Sequence, residues 1–192
     1  MEMSIKEHNE RKGKSYKMLL WFGMVSMFMM FAGLTSAYVV SASRPDWINN
    51  FVLPTAFTIS TVVIVLSSIT FHLAKKAIKN DNRGLSTTML MVTLALGLTF
   101  VATQFYGFSQ VIAEGYYFTG AESTVTTSFL YIVAVVHLAH LFAGLIVLLV
   151  VIYNHFKQKY NSSQTLGIEL GAMFWHFLDI LWVYLFLFFY FY

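Results

Sequence analysis

Cysteine is absent from this 192-residue chain, and proline occurs only twice. Without cysteine the chain can build no disulfide, thiolate metal centre or iron–sulfur cluster of its own. Charge is scarce as well. Only 11% of residues are Asp, Glu, Lys or Arg, against about 25% in a soluble domain. Such a chain cannot cover a water-facing surface. The net charge of +3 is too small for a nucleic-acid-binding field, and no nucleic-acid partner is expected. There is no internal repeat and no low-complexity segment. What the chain does have is apolar sequence: 58% of its residues are hydrophobic.

Those residues are grouped. After a polar, basic stretch over residues 1–17, apolar runs cover about 18–41, 51–74, 87–110, 126–154 and 168–191. A bilayer core of about 30 Å needs about 20 helical residues, and each run is long enough. The first run exceeds the roughly 7–15 residues of a signal-peptide core, so it reads as a retained span despite small residues at Ser41 and Ser43. Only helices and closed barrels satisfy their backbones in lipid, and the runs lack the alternation of barrel strands. Pro45 falls in a loop. Pro54 falls in the first turn of its helix, where a missing N–H costs little. The expectation is an all-α, polytopic five-helix transmembrane bundle over 18–192, behind a basic tail.

Cation placement orients it. Lys6, Arg11, Lys12, Lys14 and Lys17 precede the first span; Lys75, Lys76, Lys79 and Arg83 follow the second; Lys157 and Lys159 follow the fourth. Arg44 alone lies on the other side. Cations concentrate on the cytoplasmic side, so the N-terminus is expected in the cytoplasm and the C-terminus outside. Asp46, Glu114 and Glu122 then fall in outer loops, and Phe188 to Tyr192 at the outer interface, where aromatic rings are favoured.

Ionisable residues inside spans are costly and face the protein interior. Here they are His72, His137, His140, Glu169, His176 and Asp179, with the amide Gln104 beside them. His137 and His140 share one face of the fourth helix. Glu169, His176 and Asp179 share one stripe of the fifth. Counted from the outer ends of the spans, His137 matches Asp179 in depth and His140 matches His176. The spacing therefore predicts a network between helices 4 and 5, with His137 near Asp179 and His140 near His176. Three chemistries fit such a set besides simple helix pinning: haem ligation by facing histidines, metal binding, for which the Glu-x-x-His pattern of di-iron bundles is missing, and a proton relay. Met24, Met27, Met29 and Met30 lack a copper-binding spacing and read as packing residues. Gly33, Gly97, Gly107, Gly144 and Gly171 read as points of close helix approach.

The stretch Glu169-Leu-Gly-Ala-Met-Phe-Trp175-His176-Phe-Leu-Asp179-Ile-Leu-Trp182 resembles the final helix of subunit III of haem–copper oxygen reductases. His137-x-x-His140-x-x-x-Gly144 resembles the helix before it. Ser67-Ser68-Ile69-Thr70-Phe71-His72-Leu73-Ala74 and Phe100-x-x-x-Gln104 resemble earlier ones, in the same order along the chain. The resemblance implies a bacterial five-helix form of subunit III of a cytochrome c or quinol oxidase in the plasma membrane. It lacks the first two helices of the seven-helix mitochondrial form. It implies no catalytic residue, cofactor or metal in this chain, haem and copper being held by partner subunits. The chain would contact subunit I, bind phospholipid in a cleft between helix groups, support proton delivery, and join other oxidase subunits and a respiratory supercomplex. His137, His140, Glu169, His176 and Asp179 would form the buried polar packing region, with His72 and Gln104 secondary.

Two positions depart from that pattern. A Ser-Glu pair common in the family's matching first helix reads Ser26-Met27 here, and a Glu three residues after the helix 3 Gln reads Gly107. Roles tied to those carboxylates do not carry over, and a neighbouring subunit would supply the missing cleft wall. The rival readings are a membrane cytochrome b, with His140 and His176 as haem ligands, and a small transporter. The transporter reading finds no inverted repeat or broken helix here.

Overall fold

A computed structural model describes residues 2–48, 53–120, 123–162 and 164–191, with the side chains of residues 2–6 and 9 excepted. Phe51 and Val52, expected to begin the second span, lie outside the described residues, as do Glu122, Tyr192 and the Lys6 side chain.

The described residues form five long helices: α1 Glu2–Val40, α2 Thr55–Lys79, α3 Arg83–Ala113, α4 Val125–Phe156 and α5 Leu166–Phe191. Each is long and apolar enough to cross a membrane, and none contains proline. The basic stretch before the first span is helical and continuous with it, so α1 is longer than its apolar run.

The ends are set by local chemistry. Pro54 stands one residue before α2 as its cap, with its carbonyl accepting from Phe57 N–H at 3.1 Å. Asn82 caps α3 by accepting from Leu85 N–H. Thr124 and Thr127 cap α4 reciprocally, which satisfies amides that the helix cannot bond itself. The α2–α3 turn closes through Asp81 at φ 54°. A short polar residue tolerates that left-handed conformation.

Helices α2 and α3 form a tight antiparallel pair; α5 lies against both α2 and α4, and α3 also touches α4. The main core runs between these four helices around Phe71, Phe100, Leu148, Ile168 and Trp175. Backbone proximity at α5 comes from glycine. A Cβ on Gly97 would stand 2.9 Å from the Trp175 ring, and one on Gly144 2.7 Å from Leu178 Cδ1. Gly107 and Gly171 are similarly crowded, by Phe57 and Val151. Gly33 is not: no atom lies within 4 Å of its added Cβ, because it is on the outward side of α1.

Helix α1 is attached differently. Only Met24, Phe31, Thr35 and Tyr38 are buried along its apolar length, at helical spacings that make one narrow stripe. Phe31 joins Val133 of α4 and Leu181 and Leu185 of α5 in a second, smaller core. The remaining face of α1, including Leu19, Phe22, Met29 and Met30, is exposed.

Lysine and arginine gather at the bundle end holding the N-terminus, called here the basic end. At the opposite end Tyr38 packs against Trp47, Phe129, Phe188 and Phe189. There Asp46 bonds Arg44 at 3.1 Å and accepts from Val125 N–H at 3.2 Å. The connection after α1 is thereby tied to the start of α4. Arg44, first, and the Val125 amide hold the Asp46 carboxyl below its usual pKa.

Candidate polar seam and cleft

The side of α5 that meets α4 is made of Gly171, Trp175 and Leu178: Gly171 approaches Val151, and Gly144 approaches Leu178 and Trp175. The polar stripe of α5 is rotated away from that contact. Glu169 and His176 line a cleft of about 730 Å³ between α1, α2 and α5. The expected seam between helices 4 and 5 is therefore divided into separate sets.

At the basic end, Glu169 holds two helices to α5. Its Oε2 pairs with Lys17 Nζ of α1 at 2.8 Å, and its Oε1 with Lys79 Nζ of α2 at 2.9 Å. Thr165 Oγ1 donates a third contact to Oε1 at 3.0 Å. Sequence reasoning treated Lys17 and Lys79 as orientation signals and missed this clamp. The signal was present: all three residues sit at the same end of their spans.

Above the clamp the cleft walls are apolar: Trp21, Met24, Val25 and Phe28 from α1 face Met173, Phe177 and Ile180 from α5. Lys75 and Lys79 stand at the basic end of the same cleft.

His176 turns to α2. Its Nδ1 shares a 2.6 Å hydrogen bond with Ser68 Oγ, and its ring lies 6.2 Å from that of His72. His140 does not meet it. His140 Nδ1 donates to Val136 carbonyl of its own helix at 2.8 Å, and its ring rests edgewise on Phe31 of α1. The two histidines face different helices, so they present no pair of opposed haem ligands.

Nor do His137 and Asp179 bond each other. His137 is fully buried at 0% exposure, boxed by the rings of Phe31, Phe100 and Trp182, the last at 5.1 Å. Asp179 is 2% exposed. Neither has a hydrogen-bond partner among the described residues. The Ser68 hydroxyl is the side chain within electrostatic reach of Asp179. Trp182 stands beside His137 at 5.1 Å, and equal depth in the two spans did not produce a bond between His137 and Asp179.

Gln104, fully buried, donates from Nε2 to Ser60 Oγ at 2.7 Å and joins α3 to α2. Two indoles act likewise: Trp175 Nε1 donates to Ser67 Oγ and Trp182 Nε1 to Thr61 Oγ1, each at 3.1 Å. Ser67 stands in the α2 motif quoted from the sequence, but no bonding role was assigned there to these hydroxyls, because serine and threonine inside a span carry no directional signal. Among the described residues no three His, Asp or Glu side chains converge in a metal-binding group.

Comparison with known proteins places this arrangement. The chain is 28% identical to cytochrome c oxidase subunit 3 of Thermostichus vulcanus, over 85% of this chain and 80% of that protein. It is 28% identical to cytochrome bo(3) ubiquinol oxidase subunit 3 of Pseudomonas aeruginosa, over 92% and 85%. It is also 28% identical to cytochrome c oxidase subunit 3 of Petromyzon marinus, over 92% and 69%. The family model for cytochrome c oxidase subunit III matches residues 3–192, nearly the whole of the five-helix bundle, and the chain therefore belongs to that family.

Proposed function

We propose that this chain is the non-catalytic subunit III of a haem–copper oxygen reductase in a bacterial plasma membrane, with its basic end in the cytoplasm. In that role it stabilises the catalytic subunit I, holds phospholipid beside it and supports proton uptake. Haem and copper reside in the partner subunits. The observation that carries the reading is the family match over residues 3–192, and the position of the lysines supports the orientation.

Two surfaces suit these tasks. The exposed apolar face of α1 is available to a neighbouring helix or to lipid. The cleft between α1, α2 and α5 suits one phospholipid, its acyl chain along Trp21, Phe28 and Ile180 and its phosphate at Lys75. Lys79 is engaged by Glu169, which leaves Lys75 as the main headgroup cation. His137, His140, Glu169, His176 and Asp179 serve helix packing in this reading: Glu169 and His176 tie α5 to α1 and α2, and His137 and His140 pack α4 against Phe31 of α1.

The test is affinity purification of the tagged chain from gently solubilised membranes, with a visible spectrum, protein mass spectrometry and lipid analysis of the eluate. Recovery of oxidase subunit I, with haem that departs when this chain is separated, is the expected result. Haem remaining on the isolated chain would instead establish a histidine-ligated cytochrome. Recovery of the chain without pigment or partners would overturn the accessory-subunit reading and favour a transporter.

A further inference from the structure

A carboxyl group buried in a membrane protein normally has a visible partner, because an isolated charge there is expensive. Asp179 has none: both oxygens are buried without a hydrogen bond among the described residues, and no lysine or arginine pairs with it. The stable form of such a group is the neutral acid. A neutral acid needs a way to receive its proton, and one short route leads out. Ser68 is the hydroxyl that interacts with the Asp179 carboxyl, with no hydrogen bond formed in this structure, and its Oγ bonds His176 Nδ1 at 2.6 Å. His176 lines the cleft between α1, α2 and α5; its Nε2 is itself buried and carries no hydrogen bond among the described residues, so uptake there requires the ring to open toward the cleft.

We propose that Asp179 is a buried proton-binding site that exchanges with the cleft through Ser68 and His176. Once the Ser68 hydroxyl and the Asp179 carboxyl close to hydrogen-bond distance, a contact not made in this structure, two complete hydrogen-bonded arrangements exist. In one, the protonated Asp179 donates to Ser68 Oγ, Ser68 donates to His176 Nδ1, and Nε2 carries the imidazole proton. In the other, His176 Nδ1 donates to Ser68 and Ser68 donates to the Asp179 carboxylate. A proton taken up at His176 Nε2 moves the Nδ1 proton to Ser68 and the Ser68 proton to Asp179. Release runs the same transfers backwards. One proton enters, one carboxyl is protonated, and the imidazole ends neutral.

Lys75 and Lys79 of α2 and Glu169 of α5 line the same cleft, Lys17 of α1 engages Glu169, and His72 of α2 lies beside the His176 ring. On α4, His137 and His140 are turned to Phe31 and offer Asp179 no alternative donor.

The experiment uses the full chain in lipid nanodiscs, labelled with carboxyl-13C aspartate. The sequence holds three aspartates, Asp46, Asp81 and Asp179, and the first two are exposed. Infrared spectra at neutral pH are expected to show one isotope-shifted C=O band of a protonated carboxylic acid, which shifts again after transfer to heavy water. Ser68→Ala is expected to keep the band and slow its deuterium exchange by about tenfold, the factor that one lost hydrogen-bonded step corresponds to. Ser68→Thr, which retains the hydroxyl, restores the rate, and His176→Asn slows it as Ser68→Ala does. Absence of a protonated aspartate band in the unsubstituted chain overturns the site, a result that requires no variant to fold. An exchange rate unchanged in both Ser68→Ala and His176→Asn overturns the route.

Discussion

Substituting Gly144 by alanine tests whether glycine sets the distance between α4 and α5. The added Cβ would stand 2.7 Å from Leu178 Cδ1 and 3.6 Å from Trp175 Cε3. Carbon atoms are in best contact at about 3.5–4.0 Å, so Leu178 must retreat by about 0.8 Å. It has little room, since Leu178 is 0% and Trp175 1% exposed. Overpacking, which includes forcing Leu178 off its rotamer, costs about 1–3 kcal/mol. Replacing glycine within a helix returns up to about 1 kcal/mol. The net expectation is a loss of about 1–2 kcal/mol. For a chain of this size that lowers Tm by about 2–8 °C. Gly33→Ala is the control: nothing lies within 4 Å of its Cβ, so the variant keeps the helix-propensity gain and melts at or slightly above the parent. Thermal unfolding of both variants in detergent, followed by size-exclusion chromatography with fluorescence detection, measures the difference. A Gly144→Ala protein that melts with or above the parent would refute the argument, as would a Gly33→Ala protein that loses as much.

Glu169→Gln is expected to loosen α1, because a neutral amide replaces a carboxylate held by Lys17 and Lys79; part-exposed pairs contribute about 0.2–1 kcal/mol each. A double-mutant cycle with Lys17→Met should show a coupling in that range that shrinks at high salt, whereas zero coupling at low salt would remove the clamp. Lys75→Gln is expected to reduce retention of anionic phospholipid by the purified chain without changing zwitterionic lipid, read by lipid mass spectrometry; equal retention of both classes would count against the headgroup assignment. The Asp46 carboxyl is held below its usual pKa, first by Arg44. Its contribution is therefore present above the unfolded value of about 4 and disappears as pH falls through the lower folded value. The protection factor of the Val125 amide, its exchange rate set against the intrinsic rate at each pH, should fall on acidification through that window in the parent and show no such dependence in Asp46→Asn.

The sequence alone determined the helices and their depth. Backbone groups in lipid must bond within their own segment, so an uninterrupted apolar run of sufficient length has one solution, and the five runs became α1 to α5. Most ends moved by a few residues, because caps such as Asn82 and Thr124 act beyond the apolar run, while α1 starts at Glu2, far ahead of its apolar run. The family was legible too, since Trp175-His176-Phe-Leu-Asp179-Ile-Leu-Trp182 is an ordered pattern that needs no geometry. The rotation of each helix about its axis was not legible. Counting residues put His137 level with Asp179, but depth says nothing of azimuth. Azimuth was decided by packing: Gly144 admits Leu178 and Gly97 admits Trp175, which fixes the large side chains of α5 against α3 and α4. The polar stripe of α5 was thereby left to α1 and α2, where Glu169 finds Lys17 and Lys79 and His176 finds Ser68. Close packing is a property of two surfaces together, and one strand of letters records only one surface at a time.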